Sequence, residues 1–173
     1  MTWTAPAVER DPVPPTGTEA AQLRARLAHQ RATLLDRCAG LDGEQLARRA
    51  IPPSTLSLLG LVRHLSEVER GWLRATAAAA DLGYLYCATD NPDGDFDDAR
   101  PADAATDFAT YHRETTAADA AVGQLALDHE GRHPITGTAY SLRWIYLHLI
   151  EEYARHNGHA DLLRQCVDGR TGS

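Results

Sequence analysis

The chain has 173 residues, 43% hydrophobic and 24% charged, with a formal net charge of -7; this is the size and balance of one globular domain with room for a real core. An acidic chain with no basic run argues against a nucleic-acid partner held through its phosphates. It contains no apolar span of about eighteen residues and no basic-then-apolar leader, so no membrane partner and a cytoplasmic location are expected.

Residues 1–17 contain Pro6, Pro12, Pro14 and Pro15 and read as an extended N-terminal arm ahead of a helical domain over residues 18–169. Thr18 can cap a first long helix with Glu19 in its first turn, Leu23, Leu27, Leu34 and Leu35 on its apolar side, and Gly40 as its stop. A short helix over residues 42–50 leads into Ile51-Pro52-Pro53, which forces an extended turn. Ser54 or Ser57 then caps a second long helix reaching about Ala80, with an inward stripe of Leu58, Leu61, His64 or Leu65, Val68 and Trp72. Glu67 and Glu69 read as surface or supporting carboxylates.

Residues 81–100 hold Asp90, Asp93, Asp95, Asp97 and Asp98 but lack the spacing of a calcium loop, so they predict a solvated, lid-like connection. Pro101 opens a third long helix over about residues 102–127, with Phe108, Tyr111, Thr115 and Val122 available for packing. Gly131, Pro134 and Gly137 break the pattern over residues 128–138 before a fourth helix that ends near Gly169. Four long helices in one modest chain predict an all-α four-helix bundle with a long connection between helices 2 and 3. That connection is too long for a tight hairpin, so the order of the helices in space stays open.

The fourth helix is unusual. Leu142, Ile145, Leu149, Glu152, His156, His159 and Leu163 recur at spacings of three and four, so a carboxylate and two imidazoles interrupt an apolar stripe. Such groups need a partner, a wet cavity or a metal, because burying them unpaired costs several kcal/mol. Asn157-Gly158 within the stripe also favours a turn. Together with His64 on the second helix, Glu152 and His156 form a two-imidazole, one-carboxylate set suited to a divalent cation with positions left for water or substrate. Zinc, nickel, iron and manganese all fit, zinc being the first choice. Glu130 and His133, at the spacing of a di-iron pair, fall in the Gly/Pro-rich break and predict no two-metal centre. Cys38, Cys87 and Cys166 are unevenly spaced without a CxxC pair, which excludes a disulfide framework and a cysteine zinc site. Arg155 and Arg164 read as solvated helical arginines.

The segments GLVRHLSEVERGWL at 60–73 and LHLIEEYARHNGHADLLRQCVDG at 147–169 resemble the DinB/YfiT-like superfamily, in particular an actinobacterial group once known only as a domain of unknown function and related to mycothiol-dependent enzymes. The resemblance runs from the first helix to Gly169. It implies a DinB-like bundle in which His64, Glu152 and His156 bind a divalent metal. Many members have histidine where this chain has Glu152, whereas the branch similar to mycothiol-dependent maleylpyruvate isomerase has glutamate. His159 falls where a commoner motif has glutamine and is expected beside the site as an orienting or acid–base group, with His148 a further candidate one turn upstream. The implied activity is metal-dependent activation of a low-molecular-weight thiol such as mycothiol, for S-transfer, conjugation or isomerisation of a small electrophile. A metal-dependent hydrolase and a non-catalytic metal-binding or stress-response bundle stand as alternatives. The isomerase that this chain resembles has an added C-terminal domain contributing to its active site, so maleylpyruvate itself is not the expected substrate; a homodimer is a second way to complete a pocket.

Overall fold

In the computed structural model, which describes residues 2–172, Thr18 starts the first helix by accepting the Ala21 N–H on its hydroxyl at 3.3 Å. This helix, α1 (Glu19–Cys38), buries Leu23, Leu27, Leu34 and Leu35 as its period requires. Asp42 and Gln45 form a reciprocal capping box on the short α2 (Gly43–Ala47). Ser57, not Ser54, caps α3 (Leu58–Glu69) by accepting the Gly60 N–H. Pro101–Asp103 forms a single 3-10 turn, and α5 (Ala104–Val122) follows the one-turn α4 (Gly94–Asp97) and buries Phe108, Tyr111, Thr115 and Val122. The last helix, α6 (Leu142–Asp168), is continuous through Asn157 and Gly158, and Gly169 ends it at a φ of +82°, which a side chain would oppose.

The second long helix does not stay α-helical to Ala80. Past Glu69 it widens into π turns over Arg70–Ala77, where the Ala78 N–H bonds Leu73 O at 3.1 Å and the Thr76 hydroxyl donates to Gly71 O at 2.9 Å. Such wide turns recur at functional sites, and this one sets the position of Trp72. The break before α6 also holds more than a loop: β1 (Glu130–Arg132) pairs antiparallel with β2 (Ala139–Ser141) in a small hairpin on an otherwise helical bundle.

Side-chain pairs fix the helix order. Glu19 meets Arg143, Gln30 meets Asn157 and Arg37 meets Asp161, so α1 and α6 run in parallel. Arg63 meets Asp107 and Arg74 meets Glu114, so α3 and α5 are also parallel. His64 beside His156 and Trp72 beside His148 set α3 antiparallel to α6. The order is up-down-down-up, and residues 81–100 must return along the bundle between two parallel helices.

One polar network ties all four long helices together. Arg31 of α1 grips Glu69 of α3 with two hydrogen bonds of 2.6 and 2.7 Å, Tyr153 of α6 donates to the same carboxylate at 3.0 Å, and the Tyr111 hydroxyl of α5 lies 2.9 Å from that of Tyr153. Glu69 is fully buried, which corrects its reading as a surface carboxylate; the paired guanidinium and phenol satisfy it there. Arg164 is likewise no solvated arginine. It is buried and donates to Arg37 O and Ala39 O at 2.9 and 2.8 Å, satisfying carbonyls at the end of α1.

The arm, whose path the sequence leaves open, packs against the bundle. The Ala5 N–H bonds Leu41 O at 2.9 Å, the Gly40 N–H returns to Ala5 O at 2.8 Å, and Trp3 meets Phe108 edge-on. Among the described residues no helix is long and apolar enough to cross a membrane.

Candidate metal centre

Residues 81–100, expected as a solvated, lid-like connection, are largely exposed but tied to α3 at two places. Glu67 accepts the N–H groups of Leu85, Tyr86 and Cys87 on one oxygen at 2.7, 2.6 and 3.1 Å, which holds the start of the connection to α3. One turn earlier, Arg63 donates to Asp95 O at 2.8 Å and Gly94 O at 2.9 Å and lies 4.0 Å above the Tyr86 ring. Asp90, Asp93, Asp97 and Asp98 stay exposed, but Asp95 is buried. It turns inward because His64 offers it a donor: Asp95 Oδ2 lies 2.8 Å from His64 Nδ1.

That contact sets the chemistry of His64. With Nδ1 hydrogen-bonded to a carboxylate, the ring presents Nε2 as the nitrogen with a free lone pair. His64 sits on α3 in a half-buried position facing α6, its ring 4.8 Å from the His156 ring and stacked at 4.8 Å on Phe96. Across from it, Glu152 and His156 lie one turn apart on α6, with Glu152 Oε2 3.4 Å from His156 Nε2. The three residues can each offer one ligand atom, and these atoms all lie within 4.8 Å of one another. No other such cluster of three occurs among the described residues.

The donor set fits a divalent ion. Two ligands about 2.0–2.1 Å from a tetrahedral ion stand about 3.4 Å apart, which is the Glu152–His156 separation. A pair standing as far apart as 4.8 Å would have to close by about 1.4 Å to reach that tetrahedral separation. Burial first, then the neighbouring His64, pushes the His156 imidazole down to about 4, leaving it neutral near pH 7 with a lone pair available. His156 Nδ1 lies 3.3 Å from His159 Nδ1, and Arg155 approaches Glu152 at 3.6 Å. His148 lies against a different group, stacked on Trp144 at 4.9 Å and edge-on to Trp72 at 4.7 Å.

His64 also forms part of the wall of a cavity of about 420 Å³ between the π turns of the second helix, residues 82–96 and the hairpin turn. That volume is within the range of small-molecule sites. Of the three thiols, Cys87 lines this cavity, Cys38 is buried in the core and Cys166 is exposed on α6; all are free. Burial pushes Cys87 up to about 11 and Cys38 up to about 12, so both stay protonated near neutrality.

The periodicity of α6 and the lone histidine of α3 identify the three clustered residues. It does not identify Asp95. Its only local cue is Phe96, an apolar neighbour able to draw the loop inward.

Residues 22–169 match the model of a family described as Mycothiol-S-transferase. The match runs from within α1 to the end of α6, including the clustered residues and the 81–100 connection. No curated protein matches the chain in sequence.

Proposed function

The chain belongs to the mycothiol-S-transferase family, and from that premise we propose that it is a metal-dependent transferase that joins a low-molecular-weight thiol, mycothiol in the family's description, to a small electrophilic carbon. The observation that supports this reading most directly is the gathering of His64, Glu152 and His156 within 4.8 Å, with His64 shared by the wall of a ligand-sized cavity. These three residues would hold the ion. When bound, a divalent cation supplies Lewis acidity that lowers a thiol's pKa and so raises its thiolate fraction at neutral pH.

The chain's own groups prepare that chemistry. Asp95 takes the Nδ1 hydrogen of His64 and fixes both its tautomer and its ring direction. His156 enters neutral because burial disfavours its cation. His156 Nε2 lies beside Glu152, and with that nitrogen's lone pair given to the ion its Nδ1 would donate to His159 Nδ1, 3.3 Å away, which orients the ring. Phe96 covers one face of His64 and keeps water from it. In the transfer, the thiol proton passes to solvent, the sulfur lone pair forms the new C–S bond, and the leaving group departs with its electron pair.

The test is product analysis with zinc-loaded protein, mycothiol and 1-chloro-2,4-dinitrobenzene. The expected outcome is an S-aryl conjugate with equimolar chloride release, lost on metal removal and in His156→Ala. Equal rates from native, stripped and His156→Ala protein overturn the proposal. Dinitrophenol appearing without any need for the thiol replaces it with the hydrolase reading.

A further inference from the structure

We propose that the cavity beside His64 is the seat of the second substrate and that its walls select an uncharged, flat, apolar electrophile against carboxylate-bearing ones. That the occupant is the electrophile rests on the thiol-transfer reading above; the selection by charge rests on the walls alone.

Carboxylates outnumber guanidiniums around the cavity. Its walls include a single guanidinium, Arg70, and three carboxylates, Glu67, Asp93 and Asp95. Arg70 is held in place, its Nε donating to Gly83 O at 2.7 Å and its Nη1 to Glu114 at 3.0 Å, a carboxylate it shares with Arg74. An anion entering here meets a wall on which carboxylates outnumber guanidiniums three to one. Glu67 and Asp95 are themselves occupied, one by three backbone N–H groups and the other by His64 and the Phe96 N–H. They are therefore poor anchors for a cation.

The remaining surface is apolar and partly planar. Val68, Trp72, Phe96 and Ile135 line the cavity, with Phe96 already stacked on His64. Trp72 is steadied at its edges by Tyr140 at 5.2 Å and His148 at 4.7 Å. Ile135 and Tyr84, 73% and 62% exposed, add apolar surface at the rim of the cavity. His133 holds the turn beneath Ile135 by accepting the Ile135 and Thr136 N–H groups on Nδ1 at 3.3 and 3.4 Å. Rigid aromatic walls favour a planar ring with a delocalised, electron-poor face.

Two unreactive probes sharing one ring test this: 1,3-dinitrobenzene and 3,5-dinitrobenzoate, titrated calorimetrically into metal-free and zinc-loaded protein. The neutral ring is expected to bind about tenfold or more tightly than the benzoate in the metal-free form, which carries the test because zinc on His64 would itself attract the carboxylate. Gly71 lines the cavity, and a Cβ built there meets nothing within 4 Å. Gly71→Phe should fold and weaken the neutral ring about tenfold by filling its space, while zinc affinity in a chelator competition stays at the native value. Asp93→Asn, on the exposed rim, should narrow the preference by improving the benzoate alone. A benzoate bound to the metal-free form as tightly as the neutral ring overturns the proposal, as does neutral-ring binding unaffected by Gly71→Phe. Should Gly71→Phe not fold, an unchanged preference in Asp93→Asn overturns it instead. Loss of zinc binding with ring selection intact counts against the thiol-transfer reading only.

Discussion

Replacing Asp95 tests whether a residue of the long connection governs the proposed metal centre. Asp95 is 4% exposed and its Oδ2 lies 2.8 Å from His64 Nδ1, the geometry of a charge-assisted hydrogen bond with a net value of about 1.5–3 kcal/mol. Asp95→Asn retains an oxygen that can accept from Nδ1 and keep the tautomer, while losing the charge that raises the basicity of Nε2. Asp95→Ala loses both. Outer partners of ligating histidines typically contribute about 10–100-fold in affinity, so zinc affinity should fall about tenfold in Asp95→Asn and about 100-fold in Asp95→Ala. These losses correspond to about 1.4 and 2.7 kcal/mol. The assay is competition with a chromophoric chelator at constant pH, with circular dichroism as the control for folding. A cycle with His64→Ala isolates the route, since Asp95 should have little left to influence once its imidazole is gone. Asp95→Ala binding zinc within twofold of native, or losing the same affinity in the His64→Ala background, refutes the reasoning.

Glu69→Ala removes the shared acceptor of Arg31 and Tyr153 and leaves a guanidinium buried in the bundle. It should lower stability by about 3–5 kcal/mol, or about 10 °C in Tm for a chain of this size, as read by thermal melts; a loss within 1 °C would show that the network does not hold the helices. A bulky thiol reagent should label Cys166 at once, Cys87 more slowly and Cys38 only after unfolding, following their burial, as checked by mass spectrometry of digested protein. Early labelling of Cys38 would contradict its placement in the core. Folding holds the Cys38 thiol near 12 against about 9 when it is free. The unfolded chain therefore releases this proton first, and stability falls as pH rises from about 9 toward 12. Cys38→Ala should make that decline shallower in alkaline denaturant melts, and an unchanged slope would remove Cys38 as a contributor.

Helix positions and caps were open to sequence reasoning because their causes are local. Thr18 caps α1, Ser57 caps α3 and Gly169 stops α6 through bonds to residues a few places away. The stripe that places Glu152 and His156 together is a property of one helix, and His64 is a lone imidazole on an apolar face. The π turns after Glu69 were not legible, since hydrogen bonds five residues back leave no distinct periodicity in so short a segment.

The amino-acid sequence alone thus determined the all-α class, the four long helices, and three ligand-type residues on the inward stripes of two of them. Only the tertiary structure decided that the helices run up-down-down-up, which of the many acidic residues turns inward to His64, and that Glu69 and Arg164 are buried. Local rules rank a residue by its own chemistry and its nearest turns. Burial of a charge is decided by whether a partner arrives from a distant part of the chain: Arg31 for Glu69, the carbonyls of Arg37 and Ala39 for Arg164, and His64 for Asp95.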